Sequence, residues 1–213
     1  MYKDEKMRHS TISVYNTIAK DYALAFKEKP EERKKILEFI SSLPTNPKIL
    51  DIGCGNSDYF YLFQEQGVEY TGIDLSVEMI KIARKTNPGG KFLVQDMREI
   101  DFHEKTFDGV YCFYSLIHIS DFEIRKILKK INYISRDTGK LLIGLQEGKG
   151  EVYKKSPFSK KGEMYINLFT QQAITVFLNE AGYKVDALEI STEIEENKLP
   201  YNKMMILASK TST

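Results

Sequence analysis

The chain has 213 residues, 42% of them hydrophobic and 29% charged, a size and composition suited to one sizeable globular core. Its 31 basic and 30 acidic residues leave a net charge of +1, so a broad electrostatic footprint for nucleic acid is not expected. No apolar run approaches the ~18 residues of a membrane span, the start Met1-Tyr2-Lys3-Asp4-Glu5-Lys6 lacks the apolar core of a secretion signal, and Cys54 and Cys112 read as unpaired thiols, so a cytoplasmic protein is expected.

Residues 10–28 are predicted helical, with Ile12, Tyr15, Ile18, Ala19, Tyr22 and Phe26 spaced for one face. A second helix covers 31–42 and ends before Pro44 and Pro47. Lys48 to Ile52 is a short apolar strand that runs into Gly53-Cys54-Gly55 and a helix over 57–66. Glu69 to Asp74 is the second strand, and Ser76 caps a helix that turns Met79, Ile80 and Ala83 inward. Asn87-Pro88-Gly89-Gly90 breaks that helix before a third strand, Lys91 to Gln95. Phe107 to Phe113 is a fourth strand, 121–134 a helix, Arg136-Asp137-Thr138-Gly139 a turn and Lys140 to Leu145 a fifth strand. Residues 146–169 read as irregular, with Gly148, Gly150, Pro157 and Gly162. Thr170 caps a helix that Gly182 ends, and Tyr183 to Ile190 and Lys203 to Ser209 follow as an antiparallel closing pair.

Strands alternating with helices predict an α/β fold, a doubly wound, Rossmann-like seven-stranded sheet with helices on both faces and the last strand antiparallel. The organisation reads as one domain: a helical cap over 1–45, a core over 46–145, a lid or substrate loop over 146–169, and a closing helix and strand pair over 170–213.

Chemistry gathers at the strand ends. Gly53 and Gly55, after the first strand, let backbone approach a ligand, while the following helix directs free N–H groups at it; a plain tight turn is the competing explanation. Asp74 ends the second strand, where an acid reaches ribose hydroxyls as a double acceptor or merely caps the next helix. Asp96 ends the third, where it accepts from an exocyclic amine or stands in water. Ser57 and Asp58 occupy the stretch where a dinucleotide fingerprint has its third glycine, which counts against a nicotinamide-dependent oxidoreductase.

Ile49-Leu50-Asp51-Ile52-Gly53-Cys54-Gly55, Gly72-Ile73-Asp74-Leu75-Ser76, Gln95-Asp96-Met97 and Phe107-Asp108-Gly109-Val110 together resemble the successive motifs of class I S-adenosylmethionine-dependent methyltransferases. The resemblance extends over roughly residues 10–210. It implies S-adenosylmethionine as cofactor, with Gly53 and Gly55 along its methionine end and Asp51 facing its amino group. It implies Asp74 on both ribose hydroxyls, Leu75 and Met79 beside the adenine, Asp96 on the adenine amine with Met97 beside the ring, and Phe113 near the methionine portion. Similar family members close an N-terminal helix over the cofactor through tyrosines, a pattern that Tyr15 and Tyr22 match, with plain helix packing as the alternative. Ser57 replaces a usual glycine and alters the shape of that turn.

A sulfonium already activates its methyl group, so the enzyme mainly aligns a nucleophile and excludes water. His118, after the fourth strand, is the candidate general base, with core packing as its alternative; no metal ligands are expected. Acceptor choice is expected from the first helix and from 146–169, where Lys149, Lys154, Lys155, Lys160 and Lys161 alternate with Tyr153, Phe158 and Tyr165, either as a lid or as a solvated loop. The Asn/Asp-Pro-Pro-Tyr type of motif used on DNA bases or protein glutamine is absent, so a small molecule rather than nucleic acid or protein is the expected acceptor. A non-catalytic module that senses S-adenosylmethionine has the same motifs and is the alternative function.

Overall fold

The computed structural model describes residues 3–25, 28–155, 163–192 and 201–211, and side chains from 9 onward. Phe26, Pro157, Phe158, Lys160, Lys161 and Gly162, to which the sequence assigned a place on the first helix face or in the lid, lie outside the described residues. Among described residues the order is α1 (Lys3–Ala25), α2 (Pro30–Ser41), β1 (Lys48–Ile52), α3 (Phe60–Glu65), β2 (Glu69–Asp74), α4 (Val77–Thr86), β3 (Lys91–Val94), β4 (Phe107–Phe113), α5 (Asp121–Ile134), β5 (Ser135–Gln146), β6 (Gly150–Lys155), β7 (Glu163–Leu168), α6 (Gln171–Glu180), β8 (Tyr183–Ser191) and β9 (Lys203–Lys210). Short 3₁₀ turns follow β3 at Met97–Glu99 and β4 at Leu116–His118.

The seven-stranded sheet has the order β3-β2-β1-β4-β5-β9-β8. Strands β1 to β5 pair in parallel, while β9 is antiparallel to both β5 and β8. Both faces are covered, because side chains alternate along each strand. Leu50, Ile52, Val110, Cys112, Leu141 and Ile143 pack with α5 and α6, while Ile49, Tyr111 and Leu142 pack with α2, α3 and α4. Near-continuous apolar strands are what a parallel sheet buried on both faces requires. The order in which strands are added reverses at the β1–β4 boundary, so the carboxyl ends of those strands open onto the crevice where such sheets take ligands.

Several boundaries differ from the sequence reading. The first helix is described over Lys3–Ala25, where the sequence reading has 10–28. Helix α3 starts only at Phe60, because Ser57 adopts a left-handed φ of 59° and its N–H bonds back to Cys54 O at 2.8 Å. The turn expected at 136–139 is part of β5, whose pairing with β4 shifts register between Phe107 and Gly109. The largest correction concerns 146–169, whose described residues are not irregular: β6 and β7 form a two-stranded antiparallel sheet, with Tyr153 opposite Tyr165. β7 is buried along Met164 to Leu168, whereas β6 is largely exposed, so the hairpin is fixed by one side only. Helix α1 lies against β7 and α4 and joins the hairpin through Val14, Ile18 and Met164 and a hydrogen bond from Ser10 Oγ to Glu163 O.

Candidate functional site

The turn after β1 wraps over the end of β2: the Gly53 and Cys54 N–H groups donate to Ile73 O at 2.7 and 3.0 Å. Gly53 and Gly55 have φ of 72° and 54°, a region in which an L side chain costs roughly 1–2 kcal/mol. The two glycines serve different ends. A Cβ on Gly53 would stand 2.2 Å from Ser115 Cβ, so this glycine lets β1 approach the turn after β4. A Cβ on Gly55 would meet nothing within 4 Å, and this residue faces open cavity. Gly53→Ala should therefore lower the urea midpoint by the equivalent of at least ~2 kcal/mol, whereas Gly55→Ala should cost only the ~1–2 kcal/mol of backbone strain. Equal midpoints for the two variants would contradict this division.

Asp74 closes the turn. Its Oδ2 accepts the Gly55 N–H at 2.9 Å and its Oδ1 the Ser76 N–H at 2.7 Å. Burial raises its pKa, and these backbone donors oppose the rise. Asp51 is buried beside it and accepts from Tyr70 Oη, which also bonds Ser57 Oγ at 2.6 Å. Desolvation pushes the Asp51 carboxyl up to about 8; the Tyr70 hydroxyl opposes this and the Asp74 charge adds to it. Burial likewise pushes Asp58 up to about 6, against the Asn56 amide.

At the end of β3, Asp96 is 5% exposed and grips Arg98, whose Nη2 donates to Oδ2 at 2.8 Å and whose backbone N–H donates to Oδ1 at 2.9 Å. A further donor would join an already charged pair. Leu75, Met79 and Met97 line the same cavity, and Phe113 stacks obliquely on Tyr111 with centroids 4.6 Å apart.

Helix α1 covers the opening. Asn16 Oδ1 accepts from Ser76 Oγ at 2.7 Å, which ties α1 to the start of α4. Tyr15 meets Tyr22 edge-on at 6.2 Å and His118 at 5.4 Å. His118 Nδ1 lies 2.7 Å from Tyr165 O, so Nδ1 carries a proton; Nε2 is then the acceptor for Tyr15 Oη at 2.9 Å. Burial pushes the His118 pKa down to about 4, leaving the ring neutral, while the Tyr165 carbonyl opposes the shift. His118 lines the cavity and is hydrogen-bonded to Tyr15, which lines it too.

That tautomer has a measurable consequence. The unfolded imidazole takes up its proton near its ordinary pKa of about 6.5, the folded one only near 4. The contribution is full above about pH 6.5 and is lost as pH falls toward 4. Urea unfolding of the wild type and His118→Gln should show a stability gap that shrinks over this window by up to ~3 kcal/mol; a pH-independent gap would refute the buried neutral ring.

Sequence reading missed a polar cluster at the far end of the same cavity. Glu32, from the first turn of α2, accepts from Tyr59 Oη at 2.9 Å and Tyr114 Oη at 3.1 Å, and its Oε1 lies 3.4 Å from Lys203 Nζ and 3.5 Å from Lys29 Nζ. The cavity holds about 360 Å³ and runs from Asp96 and Met97 past Asp74, Asp51 and Phe113 to Gln146 and Lys203. It thus brings together every site residue predicted from sequence: His118, Tyr15, Tyr22, Asp51, Gly53, Gly55, Asp74, Leu75, Met79, Asp96, Met97 and Phe113. Among the described residues, no group of three or more His, Cys, Asp or Glu could hold a metal, and no helix is long and apolar enough to cross a membrane.

A glycine turn at the switch point, acids closing three successive strands and a helical cover define an α/β protein built to hold a nucleoside. Residues 49–139 match the family described as methyltransferase domain. The chain is 29% identical over 146 residues to demethylmenaquinone methyltransferase of Thermotoga maritima, covering 65% of this chain and 62% of that protein. It is 37% identical over 91 residues to phosphoethanolamine N-methyltransferase 3 of Arabidopsis thaliana, covering 39% of this chain and 19% of that protein. The chain thus spans less than two thirds of the length of either relative. Among solved structures, Burkholderia thailandensis 1,6-didemethyltoxoflavin-N1-methyltransferase, with 1,6-didemethyltoxoflavin and S-adenosylhomocysteine bound, superposes with a TM-score of 0.76 at 19% identity, covering 100% of this chain and 92% of that one. Residues 49–139, which carry the glycine turn and the three strand-end acids, are thus similar to methyltransferase domains.

Proposed function

We propose that this chain binds S-adenosylmethionine in the crevice at the carboxyl ends of β1 to β4 and transfers its methyl group to a small-molecule acceptor. The observation that carries the reading is Asp74: a half-buried carboxylate pinned by the Gly55 and Ser76 N–H groups at the mouth of a glycine turn whose open side faces the cavity. That donor set suits a nucleoside with a charged tail. Asp74 has oxygen lone pairs for ribose hydroxyls, the Asp51 carboxyl can meet the α-ammonium, and Leu75, Met79 and Met97 supply apolar walls for a base. When bound, the cofactor supplies a methyl carbon on a sulfonium, open to in-line displacement.

The remaining work belongs to the chain. Tyr15 and Tyr22 on α1 cover the site and exclude water. For a hydroxyl or ammonium acceptor, the Tyr15 oxygen takes the acceptor's proton while its own passes to His118 Nε2, and the Tyr165 carbonyl holds the resulting imidazolium at Nδ1. The free thiols of Cys54 and Cys112 fit a reducing, cytoplasmic setting.

Tyr15→Phe removes the proton path without removing the ring. With an acceptor found by metabolite screening, it should lower kcat by roughly 10²-fold or more while S-adenosylhomocysteine affinity changes little. An unchanged kcat would leave Tyr15 a cover only.

A further inference from the structure

Six acids line the cavity: Glu32, Asp51, Asp58, Asp74, Asp96 and Glu123. Three of them have a cation within ion-pair reach. Asp96 meets Arg98 at 2.8 Å, Glu123 meets Lys126 at 3.5 Å, and Glu32 meets Lys203 at 3.4 Å. Among the described residues, the hydrogen-bonding partners of Asp51, Asp58 and Asp74 are all neutral. Asp51 and Asp74 are the candidate partners of the cofactor's ammonium and ribose. Asp58 has no part in that reading.

A braced turn sets Asp58 on the wall. Ser57, just before it, has a φ of 59°, a region that non-glycine residues rarely adopt. The turn is held from outside: Ser57 Oγ bonds Tyr70 Oη at 2.6 Å, and Asn87 Nδ2 donates to the carbonyls of Asn56 and Ser57 at 3.3 Å. Strain kept up by its surroundings on a cavity wall marks a functional position. Asn56 Nδ2 donates to Asp58 Oδ1, and among the described residues Oδ2 has no hydrogen-bond partner. Burial pushes the carboxyl up to about 6, which leaves it ionised at neutral pH.

This carboxylate stands where the glycine turn gives way to the Glu32 end. Gly55, three residues earlier, faces open cavity, and Tyr59, the next residue, donates to Glu32 at 2.9 Å. Burial, and then the charges of Asp58, Glu32 and Asp74, push the Tyr22 hydroxyl up to about 12, so three carboxyls act on one ring of the helical cover. The same cavity has an aromatic wall along β4, where the Phe113 centroid lies 4.6 Å from that of Tyr111 and 5.5 Å from that of Tyr114. A carboxylate and ring faces both attract an ammonium, and both repel an anion.

The reaction favours the same class. Methyl transfer to an amine moves positive charge from sulfur onto nitrogen, so a fixed carboxylate beside that nitrogen stabilises charge as it develops. Transfer to a carboxylate or phenolate cancels charge and gains nothing from Asp58.

We propose that Asp58 anchors the methyl acceptor and that the acceptor is a primary or secondary amine, held as its ammonium by Asp58 and the aromatic wall of β4. One N–H proton leaves through Tyr15 Oη to His118 Nε2, while a second N–H stays on Asp58. The freed nitrogen lone pair forms the bond to the methyl carbon as the carbon–sulfur bond breaks and its electron pair stays on sulfur. The proposal rests on the methyltransferase reading, which supplies the methyl donor.

The test is calorimetric titration of the full chain, first saturated with S-adenosylhomocysteine, using benzylammonium, benzyl alcohol and benzoate as probes. Benzylammonium should bind at least tenfold more tightly than benzyl alcohol, and benzoate should not bind. Asp58→Asn, which keeps the shape and removes the charge, should weaken benzylammonium by roughly ten- to hundredfold, the worth of one charged hydrogen bond, and leave S-adenosylhomocysteine affinity within twofold. Benzoate or benzyl alcohol binding as tightly as benzylammonium, no benzylammonium binding by the wild type, or binding indifferent to Asp58→Asn would each overturn the proposal. So would an equal loss of S-adenosylhomocysteine affinity in Asp58→Asn, which would assign the carboxylate to the cofactor's own ammonium. The wild-type comparison decides even if Asp58→Asn fails to fold. Failure of the wild type to bind S-adenosylhomocysteine would instead overturn the reading beneath, and is seen before any probe is added.

Discussion

S-adenosylmethionine should bind roughly 100-fold more tightly at about pH 7 than at about pH 5, because each pH unit over which one proton must leave is worth tenfold. The proton belongs to Asp51, which burial holds neutral up to about 8 in the free protein. A cation placed beside it favours the carboxylate, so binding expels that proton below about pH 8 and expels none above it. The ligand's own α-ammonium titrates near 7.7–8.0 by its ordinary range, so the gain levels off there and reverses at higher pH. Titration in two buffers of different ionisation enthalpy at about pH 6.5 should report close to one proton released. Asp51→Asn should abolish both the release and most of the pH slope. A wild type with flat affinity across this range would show that Asp51 is not the ammonium's partner.

The second large effect is expected at Asp74. Asp74→Ala removes the anchor of the Gly55 and Ser76 N–H groups and, on the proposed reading, the acceptor for two ribose hydroxyls. Charged hydrogen bonds are worth about 1.5–3 kcal/mol each, so S-adenosylhomocysteine should lose roughly 10²-fold or more in affinity. Adenine alone, which lacks the ribose, should bind wild type and variant alike. An equal loss for adenine would mean that Asp74→Ala had collapsed the turn rather than removed a ligand contact.

The parts of the fold that the sequence reveals are those in which local chemistry and tertiary environment agree. β1, β4 and β5 are apolar runs because both faces of the sheet are covered, and α5 turns Ile124, Ile127, Leu128, Ile131 and Ile134 to one side. The acids at strand ends could be expected to line one cavity because a parallel sheet brings the carboxyl ends of its strands together. The hairpin was not legible. β6 reads Gly-Glu-Val-Tyr-Lys-Lys, with charge where a strand signal needs apolar residues, and its partner β7 is buried between α1 and the main core, contacts no local pattern announces.

The site was legible to the same degree. Asp96 could be assigned to a strand end, but not its pairing with Arg98, since adjacent charges in a loop are ordinarily solvated. His118 could be chosen as a base, but its tautomer depends on Tyr165 and Tyr15, each distant in sequence. Glu32 looks like an acid placed for the helix dipole in the first turn of α2. Only the folded chain brings it to Lys203, 171 residues away.

The central claim is that this crevice is an S-adenosylmethionine site, and the most direct measurement is calorimetric titration of the wild-type chain with S-adenosylmethionine and S-adenosylhomocysteine. One-to-one binding of both, with Kd in the micromolar range or tighter, is the predicted result. A folded wild type that binds neither would contradict it, and the cavity beneath α1 would then serve another ligand.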